Sequence, residues 1–128
     1  VIRKFLEDFD RAIASSPVVL SSAIEKYLSP DGDSVYIKGT VRLIDSSILD
    51  IAIFATLSAG RLIIDKYRFH YMDKERRMVF RYDNAPHHPG VRSYPHHKHA
   101  PARVAPANRP SIKEILEEIG ARIFASET

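Results

Sequence analysis

Leu62-Ile-Ile-Asp-Lys-Tyr-Arg-Phe-His-Tyr-Met-Asp-Lys-Glu-Arg-Arg-Met-Val-Phe-Arg-Tyr-Asp83 reads as two strands and a turn. Successive side chains of a strand point to opposite faces. In the first strand Tyr67, Phe69 and Tyr71 therefore share one face, and Lys66, Arg68 and His70 share the other. Asp73-Lys-Glu-Arg76 turns the chain, after which Met78, Phe80 and Tyr82 alternate with Arg77, Val79, Arg81 and Asp83. The two strands pair as an antiparallel hairpin with both aromatic sets in the core, because a slip of one residue would turn the aromatics into water. Lys66, Arg68, His70, Arg77 and Arg81 then fall on a common basic surface.

The flanking sequence extends this sheet. Val35 to Ile44 alternates apolar residues with Tyr36, Lys38, Thr40 and Arg42, and Ile48 to Leu57 puts Leu49, Ile51, Ile53, Ala55 and Leu57 on one face. Asp45-Ser46-Ser47 is the hairpin turn between them. Pro30-Asp-Gly-Asp33 is a turn by composition. Val18 to Leu28 keeps no single period and is read as a further strand. Ile2, Phe5, Leu6, Phe9, Ala12 and Ile13 recur at helical spacing, and Ser111-Ile-Lys-Glu114 is a capping box opening a helix striped with Ile112, Ile115, Leu116, Ile119 and Ile123. The expected fold is α+β: a curved antiparallel sheet of about five strands, N-terminal and C-terminal helices packed on one face, and a His/Pro-rich loop over the other.

Composition sets the class. A chain of 128 residues with 45% hydrophobic and 27% charged residues is a single folded domain, residues 1–128. No apolar run reaches the roughly 20 residues of a bilayer span, and the N-terminus lacks a signal-peptide pattern, so a cytoplasmic protein with no membrane partner is expected. The absence of cysteine excludes disulfides and thiolate metal sites. The net charge of +3 is too small to argue for nucleic acid by itself. Its distribution says more, because residues 84–113 hold no Asp or Glu but contain Arg92, Lys98, Arg103, Arg109 and Lys113.

Five of the six histidines, His87, His88, His96, His97 and His99, lie inside that acid-free segment, as do six of the eight prolines. The prolines predict an extended loop. In an extended chain His97 and His99 project to one side, and His96 and Lys98 to the other. Imidazole exchanges protons near neutral pH and is the commonest metal ligand. Paired histidines beside cations suit metal-free phosphodiester cleavage: one imidazole removes the 2'-hydroxyl proton, another protonates the departing 5'-oxygen, and Lys or Arg stabilises the phosphorane. A metal held by His97, His99 and His87 or His88, with Asp83, is the competing chemistry. It matches neither the helical zinc-protease spacing nor a zinc ribbon, so no metal and no cofactor is assigned. The plain alternative is that the histidines hydrogen-bond backbone carbonyls and shape the loop.

Phe80-Arg-Tyr-Asp-Asn-Ala-Pro-His-His-Pro89 and Tyr94-Pro-His-His-Lys-His99 resemble the TumE family, the toxin components of prokaryotic toxin–antitoxin modules. The resemblance covers roughly residues 35–120, with Ala52 and Ile53 standing where relatives often carry Arg and Glu. It implies an antitoxin partner, commonly a helix-turn-helix protein, and RNA as target. The combined expectation is a type II toxin acting as a metal-independent endoribonuclease. Its catalytic candidates are His97, His99, His88, His87 and His70, and its substrate-binding candidates are Arg68, Arg81, Lys98, His96, Arg92, Asn84 and Tyr67. The alternatives are a non-catalytic RNA- or partner-binding module and a metal-dependent phosphodiesterase. An exposed apolar stripe could also pair two copies as a homodimer.

Overall fold

The computed structural model describes residues 1–85 and 95–126. Helix α1 (Ile2–Ser15) precedes strands β1 (Val19–Leu28), β2 (Ser34–Leu43), β3 (Ile48–Ser58), β4 (Arg61–Met72), β5 (Met78–Asp83), β6 (His97–Ala100) and β7 (Arg103–Pro106), and helix α2 (Ile112–Ser126) follows. The seven strands form one antiparallel sheet in chain order, so each pairs only with its neighbours in sequence. Both helices pack on the same face. Phe9 and Ile13 of α1 and Ile115, Leu116, Ile119 and Ile123 of α2 share a core with Val35, Ile37, Leu49, Ile51, Tyr67, Phe69, Tyr71 and Phe80. These are the apolar members of each alternating strand, and the polar members line the open face.

The capping box forms as its residues require. Ser111 Oγ accepts the Glu114 N–H at 3.1 Å, and Glu114 Oε1 accepts the Ser111 N–H at 3.0 Å. The segment without a clear period becomes β1, whose weak pattern follows from its position: at the sheet edge most of its side chains are exposed. Among the described residues, no helix is long and apolar enough to cross a membrane.

Among the described residues the strands number seven, where about five were expected. Part of the proline-rich segment is sheet, because its prolines bracket the new strands instead of interrupting them. Residues 97–100 contain none, residues 101–102 make the turn, and Pro106 ends an edge strand, where a missing N–H breaks no interior ladder. Residues 97–100 therefore continue the sheet and do not cross over its open face. The pairing of β4 with β5 places Arg68 opposite Asp83 and His70 opposite Arg81. Arg77 is drawn aside into the hairpin turn by Asp73 and Glu75.

Two glycines sit at positions with opposite tolerance for a side chain. A Cβ on Gly39 would stand 2.2 Å from the Ala23 carbonyl oxygen and 2.7 Å from the Ile24 Cα, so backbone would have to move. A Cβ on Gly120 would meet only Val18 at 3.6 Å, an ordinary contact. Gly39→Ala should lower stability by roughly 1–3 kcal/mol. Gly120→Ala should raise it by about 0.5–1 kcal/mol through helix propensity. Urea unfolding of the two variants checks both signs.

Candidate functional site

The open face is ordered in rows. Strand register carries Lys38, Ala52, Arg68, Asp83 and His97 across the sheet in one row, and Thr40, Asp50, His70, Arg81 and His99 in the next. Where the rows reach β5 and β6, three ionisable groups converge on one carboxylate. Asp83 is only 5% exposed. Its Oδ2 accepts Arg81 Nε–H at 2.8 Å, its Oδ1 lies 2.7 Å from His97 Nε2, and His99 Nε2 is 3.4 Å from Oδ2. The Ala85 N–H also donates to Oδ1 at 3.1 Å. Such a buried charge is tolerable only when paired and hydrogen-bonded.

The imidazoles have distinct roles in this network. His97 is buried, and its Nδ1–H donates to the Pro95 carbonyl at 2.8 Å, which turns Nε2 to Asp83. A guanidinium can only donate, so His99 Nε2, 3.0 Å from Arg81 Nη2, is the acceptor there. The His97 and His99 rings meet edge to face at 4.6 Å. His70 is half-buried opposite Arg81. Burial, then the Arg81 and Arg68 charges, push its pKa below the ordinary histidine value, and Asp50 only partly opposes them.

Asp83, His97 and His99 also offer one oxygen and two nitrogens within 4.8 Å of one another. That donor set suits zinc or a similar divalent ion, and a histidine ligand normally donates its second N–H as His97 does. The Arg81 guanidinium, however, already lies on Asp83 Oδ2 and His99 Nε2, so an ion would have to displace it.

The remaining sequence-derived residues lie elsewhere. Lys98 points to the helix face, where Nζ donates to Glu118 Oε2 at 2.8 Å and sits 4.9 Å from the centre of the Tyr82 ring. Burial acts against its charge, but Glu118 and Tyr82 outweigh it and hold the Lys98 pKa above normal. Tyr82 completes the node by donating to Glu118 Oε1 at 2.6 Å. His96 stacks on Tyr67 on the same side, with its Nδ1 3.0 Å from the phenol oxygen. Burial pushes the Tyr67 phenol up to about 12, so it stays protonated near neutral pH. The Asn84 amide bridges backbone: Oδ1 accepts the Tyr67 N–H at 3.0 Å, and Nδ2 donates to the Asp65 carbonyl at 2.9 Å. Arg68 is exposed on the open face. His87, His88 and Arg92 lie outside the described residues. A cleft of about 670 Å³ lies on the helix face, lined by Phe9, Tyr67, Phe69, Arg109 and Lys113, with the sheet between it and Asp83.

Sequence reasoning did not give Asp83 its central place and missed Glu118. Asp83 did carry a signal, as the last acid before thirty residues that contain none. Glu118 belongs to a helix twenty residues beyond Lys98, with nothing local to connect them.

Fold and site together define a small α+β protein with a histidine-bearing, cationic sheet face. The sequence profile described as Toxin TumE matches residues 9–123, and the chain belongs to that family. It is accordingly a toxin of a toxin–antitoxin module, with an antitoxin as its implied partner. No curated protein and no solved structure matches the chain.

The site's architecture predicts unequal costs for two carboxylates. Asp83→Ala should lose roughly 3–5 kcal/mol, because it strands buried partners. Glu118→Gln, at a part-exposed pair, should lose about 1 kcal/mol or less. Denaturant midpoints measure the difference, and similar losses would contradict the central role of Asp83.

Proposed function

We propose that this toxin is a metal-independent endoribonuclease whose reaction takes place on the open sheet face. The observation that carries the proposal is the row His70, Arg81 and His99, in which a histidine favoured in its neutral form stands beside the Arg81 guanidinium that Asp83 holds. His70 removes the 2'-hydroxyl proton, Arg81 leaves His99 Nε2 to join Arg68 on the charge of the phosphorane, and His99, protonated from solvent at the nitrogen so freed, gives that proton to the leaving 5'-oxygen. Asp83 and His97 position Arg81 and His99. The engagement of Arg81 with both Asp83 and His99 supports the metal-free route, since the cation that a metal would supply is already built in. His87, His88 and Arg92 retain the roles expected from sequence. The antitoxin, following the family resemblance, is a helix-turn-helix protein.

The second reading is a divalent-metal phosphodiesterase. It is favoured by the compact Asp83, His97 and His99 donor set and by the His97 hydrogen bond to the Pro95 carbonyl. Labelled RNA incubated in EDTA, and then with added Mn²⁺ or Zn²⁺, separates the two. Cleavage in EDTA that falls by about 100-fold or more in His70→Gln and in His99→Ala is expected. Cleavage only with metal would transfer the assignment to the metal site. Binding without cleavage in either buffer would leave an RNA-binding module.

The lowered His70 pKa also fixes the direction of the pH profile. The base stays unprotonated as pH falls through about 6.5, so kcat/KM should hold its plateau there and decline only at lower pH. Below about 6.5 the unfolded chain takes up the His70 proton more readily than the folded one, so this histidine then subtracts from stability. A kcat/KM profile whose acid limb lies above about pH 6.5, the ordinary histidine value, would remove His70 from the role of base.

A further inference from the structure

A third row of the open face belongs to neither the core nor the ionisable cluster. Register takes Tyr27, Tyr36, Phe54 and Lys66 straight across β1 to β4. The three rings are 49%, 39% and 38% exposed, whereas Tyr67, Phe69, Tyr71 and Phe80 on the other face are at most 4% exposed. Tyr27 and Tyr36 are stacked, with centroids 6.4 Å apart and planes inclined at 26°. Lys38 Nζ lies 5.9 Å from the centre of the Tyr27 ring.

The neighbouring row presents Lys38, Ala52 and Arg68, two long cations separated by a methyl group. Lys38, Lys66 and Arg68 make no salt bridge among the described residues. The acids of this part of the face are turned to neighbours: Glu25 to the Tyr27 hydroxyl, Asp50 to Thr40 at 2.9 Å, and Asp65 to Thr56 at 2.9 Å. Exposed rings beside unpaired cations match a ligand that offers flat π-faces and phosphates together. A protein partner's apolar surface would leave those cations desolvated and unmatched.

We propose that Tyr27, Tyr36 and Phe54 form a stacking platform for single-stranded RNA, with Lys38, Lys66 and Arg68 holding its phosphates and leading the strand towards His70 and His99. Bases must be unpaired to lie on a row of rings, which excludes duplex RNA from the platform. Phe54 is three strand spacings from His97, roughly 14 Å at about 4.8 Å per strand, so a strand on the rings reaches the ionisable cluster within a few nucleotides. The proposal rests on RNA being the target of the site.

The test separates the platform from the chemistry. Anisotropy would follow a fluorescein-labelled 2'-O-methyl RNA of about ten nucleotides, within the usual site sizes of about 4–16 nucleotides and resistant to 2'-hydroxyl attack. Binding should weaken by about tenfold or more in the Tyr36→Leu/Phe54→Leu double variant and return in Tyr36→Phe/Phe54→Tyr, which keeps both rings. With cleavable RNA the leucine variant should show a raised KM and an unchanged kcat. Failure of the wild-type protein to bind at low salt, leucine affinity equal to wild type, or no recovery with the ring-preserving variant would overturn the platform. A change of oligomeric state in the leucine variant without a change in RNA affinity would do the same, marking the row as an interface between copies. An oligomer bound through the rings by a protein that cleaves no RNA upholds the platform and sinks the ribonuclease proposal, whereas cleavage with KM unmoved in the leucine variant does the reverse.

Discussion

A carboxylate removed from water must find partners, and Asp83 finds Arg81 at 2.8 Å, His97 at 2.7 Å and the Ala85 backbone at 3.1 Å. Two of these requirements shape the molecule. Arg81 shares the strand of Asp83, so its position follows from strand alternation alone. His97 arrives only if β6 pairs with β5 in one register, Asp83 opposite His97 and Arg81 opposite His99. The opposite side of β6 has its own anchor, because Lys98 is held by Glu118 of α2 at 2.8 Å. A four-residue strand, too short for much cohesion from its own ladder, is thus fixed by a polar side-chain contact on each face.

The sheet divides labour between its two surfaces. One carries apolar side chains and both helices, and its polar groups are paired across the layer, as Tyr82 and Lys98 are with Glu118. The other carries ionisable residues arranged by register, so that groups distant in sequence stand in line without any loop to gather them. His70 from β4, Arg81 from β5 and His99 from β6 become neighbours in this way. A site on a sheet face has little freedom to rearrange, which suits the proposed reaction and its dependence on a held cation.

Much of this was legible in the sequence, because period-two alternation survives wherever a strand has one wet and one dry face. Tyr67, Phe69 and Tyr71 against Lys66, Arg68 and His70 gave both faces and the register. The two sides of residues 96–99 could also be read from alternation. Three things could not. β6 and β7 are four residues each, shorter than a period needs to declare itself, and prolines at their borders masked them. The pairing of Lys98 with Glu118 is a tertiary contact. The burial of Asp83 depends on neighbours that no local pattern reveals, and the Asn84 amide, which resembles a ligand-binding group in sequence, is occupied by the backbone of β4.

A sheet whose strands pair strictly in chain order can assemble as a succession of hairpins, each closing a short loop before the next begins. For a chain emerging from its N-terminal side, Asp83 appears before His97 and His99, the residues that complete its surroundings. In such a succession the Asp83 carboxylate would stay hydrated until β6 docks and brings His97 to it. In that order the face proposed to carry the reaction would be completed late, after the five strands beneath it. If that face is where the toxin acts, the order of elements along the chain sets a delay between synthesis and harm.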